Sequence, residues 1–193
     1  MPTIEKLDRF NEPLVVQFMS VRVDLEAIQA IQKVKKIQGL LFDKCRFDND
    51  DWSDLNMVPW KTSDELSSLI FSRCEPFDAV SKIVSLTPKL EHLDLWGIDL
   101  SRKNAQTFLN DFDSLTSLTL IGCKLSDNFI QELSRKKIRH LTLNRISLSE
   151  KDAEILSRFS FELESLQLIH CDCPNSLNAL KWNPSLKILK IDE

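Results

Sequence analysis

At 193 residues with a formal net charge of −4, the chain suits one domain and is too mildly acidic to present the concentrated basic face that nucleic acid requires. No apolar run reaches the ~18 residues of a membrane-spanning helix, and the opening Met-Pro-Thr-Ile-Glu-Lys lacks the apolar core of a secretory signal. A soluble, intracellular protein is expected, cytoplasmic with the nucleus as the alternative, and with neither nucleic acid nor membrane among its partners.

Residues 1–12 read as an N-terminal segment, and from residue 13 a single spacing governs the chain. A segment of the form Leu-x-x-Leu-x-Leu-x-x-Cys/Ile-x-Leu starts at residues 13, 37, 66, 90, 115, 138, 163 and 186. Successive starts are 23 to 25 residues apart, except between 37 and 66, where the interval is 29. Periods in this range belong to stacked supersecondary units. The second apolar column reads Val16, Leu40, Leu69, Leu93, Leu118, Leu141, Leu166, Leu189, and the third reads Phe18, Phe42, Phe71, Leu95, Leu120, Leu143, Leu168, Ile191. Two apolar residues separated by one residue place both side chains on the same face of a strand. One strand cannot bury such a face alone, so the copies are expected to stack into a parallel sheet.

In chain order, the first strand leads into Leu25, Ile28, Ile31 and Val34, which recur at helical spacing. The strand from Ile37 is followed by the lengthened interval, which holds Asp48-Asn-Asp50-Asp51-Trp52-Ser-Asp54. These carboxylates lack the turn Gly and closing Glu of a calcium loop. Trp52, Met57 and Trp60 are instead expected to pack the inserted turn onto the helices. The strand from Leu66 precedes the helical pattern Phe77, Val80, Ile83, Val84. The clearest copies follow: Leu90-Glu-His-Leu93-Asp-Leu95-Trp-Gly-Ile98-Asp-Leu100, then Leu115-Thr-Ser-Leu118-Thr-Leu120-Ile-Gly-Cys123-Lys-Leu125. Ser126 is expected to cap the helix that carries Phe129, Ile130 and Leu133. Arg135-Lys136-Lys137-Ile138-Arg139 ends that helix, where cations suit the C-terminus, and the inward Ile138 splits the basic run. Ser149 and Asp152 read as a capping box before Ala153, Ile155, Leu156 and Phe159, with Asp in place of the usual Glu or Gln. The final strand, Leu186-Lys-Ile-Leu189-Lys-Ile191, has no following cap, and Lys187 and Lys190 are expected to discourage pairing at this edge.

Over about residues 13 to 193 the pattern resembles the leucine-rich repeats. Cys123-Lys-Leu125-Ser126-Asp127 is similar to the cysteine-containing, ribonuclease-inhibitor-like subclass, with Ile98 and Ile146 standing where two of the cysteines would be. The resemblance implies an α/β solenoid: a horseshoe arc of about eight parallel strands on the concave face, with helices on the convex face. It also accounts for Cys45, Cys74, Cys123 and Cys171, which share the column eight places after each start. At the exit from the strand their thiols would be buried, reduced and bonded to neighbouring backbone. Cys171 and Cys173 form C-x-C, yet no second Cys or His pair stands at ligand spacing. By family analogy the resemblance implies roles such as substrate recognition in ubiquitin-ligase assemblies, although residues 1–12 are too short for an F-box-like element.

Function is expected on the outward columns two, four, six and seven places after each start, because these side chains vary without disturbing the core. They hold Trp96 and Ile121 on adjacent strands, Asn144 and Ile169 further along, Asp94, and all three histidines, His92, His140 and His170. Trp is a frequent interface anchor, and Gly97 and Gly122, which follow Trp96 and Ile121, are expected to open space for a guest side chain, as is Gly39. His92 and His140 are two strands, about 10 Å, apart, too far to share one metal. Glycine-rich phosphate loops, paired-ligand motifs and nucleophile elbows are all missing. A non-enzymatic protein-interaction module is therefore expected, an adaptor or substrate-recognition subunit with no catalytic residues, cofactor or metal. The alternatives are an assembly subunit that contacts partners through uncapped terminal repeats, and a fragment of a longer repeat protein. A repeat-type GTPase regulator would need a positioned rim Arg or Asn that nothing singles out. A monomer is expected if Lys187 and Lys190 protect the edge.

Overall fold

The computed structural model describes residues 12–34, 36–48, 66–87, 89–101, 108–110, 113–159, 163–172 and 186–192. Trp52, Met57, Trp60 and Cys173 lie outside the described residues. One eight-stranded sheet is built from β1 (Leu14–Met19), β3 (Ile37–Asp43), β5 (Ser68–Ser72), β6 (His92–Trp96), β8 (Ser117–Ile121), β10 (His140–Asn144), β11 (Ser165–Ile169) and β12 (Ile188–Asp192), in that order. Every neighbouring pair is parallel. Four two-residue strands pair at the exits: β2 (Arg22–Val23) with β4 (Arg46–Phe47), and β7 (Asp99–Leu100) with β9 (Lys124–Leu125). The chain is thus α/β, with a sheet that gains one strand per repeat, an arrangement compatible with a repeat solenoid.

The register of the sheet coincides with the apolar columns of the sequence. Val16 pairs with Leu40, Leu40 with Leu69, and so on through Leu166 with Leu189; Phe18 pairs with Phe42, Phe42 with Phe71, and so on to Leu168 with Ile191. Leu40, Leu69, Leu93, Leu118, Leu141 and Leu166 are buried, so the register places each repeat's leucine on the next one's. A slip of one residue would turn this row to solvent, which is why the pattern specifies the pairing. Phe42 stacks between Phe18 and Phe71, with ring centroids 5.1 and 5.2 Å apart, and Phe47 tilts onto Phe42 at 5.5 Å.

Helices cover the inward face. In α1 (Leu25–Lys33) Ile28 and Ile31 are buried, and Asp24 caps it by accepting from the Ala27 N–H at 2.7 Å. In α2 (Phe77–Ser85) the buried residues are Phe77, Ala79, Val80, Ile83 and Val84. The helix α3 (Phe129–Leu133) is only five residues long and buries Phe129, Ile130 and Leu133. Ser126 does not cap it with its side chain: the turn closes through backbone, Phe129 N–H to Ser126 C=O at 2.9 Å, and the enclosed Ser126 Oγ has no hydrogen-bond partner. At α4 (Glu150–Phe159) the capping box does form, with Ser149 N–H donating to Asp152 Oδ2 at 3.0 Å and Asp152 N–H to Ser149 Oγ at 3.2 Å. No helix among the described residues is long and apolar enough to cross a membrane.

The four cysteines of the shared column are free thiols, buried at Cys45, Cys74 and Cys123 and half-buried at Cys171. Each donates to a carbonyl on the preceding strand of the sheet: Phe18 at 3.3 Å, Phe42 at 3.3 Å, Leu95 at 3.2 Å and Leu143 at 3.3 Å. Burial pushes the Cys74 thiol up to about 12 and raises Cys45 and Cys123 as well. These are structural groups held in the protonated, donating form.

The residue after each of the first seven strands of the large sheet is left-handed: Ser20, Lys44, Arg73, Gly97, Gly122, Arg145 and His170 have φ between 48° and 64°. The cause is a second backbone ladder. Each of these N–H groups donates to the last carbonyl of the next strand, as in Arg73 to Trp96 at 2.7 Å, Gly97 to Ile121 at 2.8 Å and Arg145 to Ile169 at 2.9 Å. A left-handed bend aims the N–H sideways where the strand ends.

Candidate functional site

The face of the sheet opposite the helices is formed by alternate residues of the same strands. At its middle Trp96 is 42% exposed and lies in register with Ile121, which pairs with Asn144, which pairs in turn with Ile169. Neighbouring strands stand about 4.8 Å apart, so this row spans about 14 Å. Ile121, Asn144 and Ile169 are partly exposed. The Asn144 Oδ1 is enclosed without a hydrogen-bond donor.

Asp94 lies two residues before Trp96 on the same face, between Ile70 of β5 and Thr119 of β8. Burial raises its carboxyl above the ordinary value, and a hydrogen bond from Thr119 and the proximity of His92 oppose that rise. His92 is exposed and lies 3.9 Å from Glu91. His140 is exposed as well, and Ser117 separates it from His92 in the pairing, which fixes the two-strand gap.

His170 is not on the sheet face. It occupies the left-handed turn after β11, with its N–H given to the Asp192 carbonyl at 2.8 Å. The glycines are likewise reassigned. Gly97 and Gly122 sit at φ 64° and 57° in the turn column, so their freedom serves the backbone, and Gly39 faces Val15, whose Cγ2 would lie 3.4 Å from an added Cβ. Gly122 has open space around it, with nothing within 4 Å of an added Cβ, and lines the groove beyond the strand ends.

Sequence reading missed the apolar residues of the fourth column. Leu41 and Ile70 pair in register on the outer face and are partly exposed; in the second and sixth columns of β1, Val15 and Met19 are 64% and 60% exposed. The signal was available: both Leu41 and Ile70 stand where the other repeats carry Gln, Asp, Thr or Lys. Beyond the strand ends an open groove is lined by Lys124, Ser126, Asp127, Ser147, Ser149 and Asp152. Several of its groups bond one another or the adjoining loops, as Ser149 does Asp152 and Ser147 does Asp172.

The basic run 135–139 is dispersed by ion pairs. Arg135 binds Glu132 at 2.8 Å, Lys136 lies 3.9 Å from Asp113, and Arg139 lies 3.6 Å from Glu164. No group of three or more His, Cys, Asp or Glu with metal-binding geometry occurs among the described residues. Compared with models of known protein families and with curated proteins, the chain matches none.

Proposed function

We propose that the chain is a leucine-rich-repeat solenoid of the cysteine-containing type, and that the sheet face running from Trp96 to Ile169 docks a partner protein without catalysing a reaction. The observation that carries this reading is the in-register row Trp96, Ile121, Asn144, Ile169, with Leu41 and Ile70 paired in the neighbouring row that holds Asp94, on a face turned away from the helices. A large aromatic amid aliphatic neighbours is the composition of interface anchors. The repeat identity is supported by the column register and by the thiol-to-carbonyl bonds. An adaptor or substrate-recognition role in a ubiquitin-ligase assembly follows from the resemblance alone. The test is affinity capture from the native cell with wild type, Trp96→Ala and Ile121→Asp. Loss of the same proteins in both variants, with melting unchanged, supports the reading, and capture indifferent to both variants overturns it.

One observation favours a second reading, assembly through the last described strand. Ile188 and Ile191 are 53% and 37% exposed, although the column of Ile191 is buried in β3 through β11. Lys187 and Lys190, expected to guard that edge, are engaged within the chain, with Glu164 at 2.7 Å and Asp192 at 2.8 Å. Light scattering that shows a concentration-dependent dimer lost in Ile191→Lys supports assembly, and a monomer at all concentrations argues against it.

A further inference from the structure

Among the described residues, the outward positions of the eight strands hold four fixed charges: Asp43, Asp94, Lys190 and Asp192. Lys190 is bound to Asp192 at 2.8 Å. The charges left on the face are therefore both carboxylates, and no cation among the described residues forms an ion pair with either. Asp94 is the one whose carboxyl burial raises. It is half-buried, with Ile70 across one strand gap, Thr119 across the other, and Trp96 two residues along. Among the described residues its donor is the Thr119 hydroxyl, whereas an ionised carboxylate has about four acceptor sites.

We propose that the partner places a cationic side chain, arginine in preference to lysine, against the Asp94 carboxylate with its aliphatic stem along the Trp96 indole. This rests on the reading that a protein docks on this face. The sheet does not need a charge at this position: the same column holds Ile70, Thr119 and Thr142 in adjoining repeats. A carboxylate there is desolvated by its apolar neighbours more than Thr119 and His92 offset, the condition under which a ligand's charge is worth most. Residues two apart on a strand stand about 6.8 Å from each other on one face, so a guanidinium on the Asp94 carboxylate leaves its stem within reach of the indole. Arginine suits the place because its planar fork meets a carboxylate with two parallel bonds, stacks on aromatic faces, and is more weakly hydrated than an ammonium. The residues flanking that arginine would be apolar, to cover Ile70 and Ile121.

The test pans two display libraries of equal length against the immobilised full chain, one of arginine with apolar residues and one of glutamate with apolar residues. Binders are expected from the arginine library. Asp94→Asn should weaken them about tenfold or more, Asp94→Glu much less, and the same charge change at Asp43→Asn by no more than about twofold. Circular dichroism and melting confirm that each variant folds. Arginine-library binders lost in Trp96→Ala but indifferent to Asp94→Asn would overturn the cationic contact and leave the docking face standing. Trp96-dependent binders from the glutamate library would do the same. Binders indifferent to both substitutions, or none from either library, overturn the docking face and the cationic contact with it.

Discussion

Across the pairing of β5 with β6, the Asp94 carboxyl stands in register with Ile70, a carboxylate beside an aliphatic side chain on the open face of the sheet. Water is partly excluded there, and burial raises the Asp94 carboxyl despite the Thr119 hydrogen bond and nearby His92. The folded chain therefore holds this proton more tightly than the unfolded chain does. Between the ordinary carboxylate value and the raised folded value, the folded state binds more protons, so this group's contribution to stability falls as pH rises through that window. Asp94→Asn should remove that component, and urea unfolding across about pH 4 to pH 7 should show a difference from wild type that grows in the variant's favour with pH. Parallel stability profiles would contradict the burial of this carboxyl.

The Phe42 ring is fully enclosed and stacked on both sides, whereas the Trp96 indole is 42% exposed. Phe42→Ala should cost about 3–5 kcal/mol of unfolding free energy, and Trp96→Ala no more than about 1 kcal/mol. Equal losses at the two positions in denaturant titrations would place Trp96 in the core and remove the reason to regard it as an anchor.

An alanine at Gly122 meets nothing within 4 Å yet must adopt φ 57°. Its cost is then that of the left-handed backbone alone, roughly 1 kcal/mol. Gly97→Ala should cost more, because its Cβ would also press on Arg73 Cγ at 3.3 Å. Gly39→Ala, with no left-handed backbone, should be close to neutral. Thermal unfolding of the three variants ranks them, and a Gly39→Ala variant as unstable as Gly97→Ala would refute the turn assignment.

Alkylation of the native chain should follow the exposure of the thiols. In a Cys173→Ser background, Cys171 should react first, while Cys74, buried and pushed up to about 12, should react only through unfolding. Mass spectrometry of the labelled peptides at neutral pH reads the order. Labelling of Cys74 as fast as of Cys171 would mean that its bond to the Phe42 carbonyl is not a lasting feature of the fold.

The Glu164 carboxylate accepts from Lys187 at 2.7 Å, which together with Arg139 holds it below the ordinary carboxylate range. Here the sign is opposite to that of Asp94: the contribution is present above the ordinary value and lost as pH falls through the lowered one. The pair is open to solvent, with Lys187 exposed and Glu164 partly so, so Lys187→Ala should lower stability only slightly at neutral pH, and added salt should erase the difference. A loss unchanged by salt would show that Lys187 acts by packing.

What could be read from the chain beforehand follows a physical division. Each repeat brings its inward leucine or phenylalanine at fixed intervals, and burial leaves one register that satisfies them all, so the pairing of Leu93 with Leu118 or Phe42 with Phe71 was legible. The outward residues answer to no such demand, and there the reading went astray at particular places. Gly97 and Gly122 looked like openings in a binding face until their column proved left-handed even where Lys44, Arg73 and Arg145 occupy it. No side-chain preference signals that bend, because a backbone hydrogen bond to the next strand imposes it.

The sequence by itself determined the strand order and the buried face, since both depend on apolar spacing that any stacked arrangement must honour, while the role of the four cysteines came from the resemblance. Only the tertiary structure decided which outward groups meet. It set Asp94 between Ile70 and Thr119, tied Lys187 to Glu164, moved His170 to the turn and brought Leu41 beside Ile70. Those relations arise between residues some twenty-five positions apart, where neighbouring strands bring them side by side and burial then sets the cost of each charge.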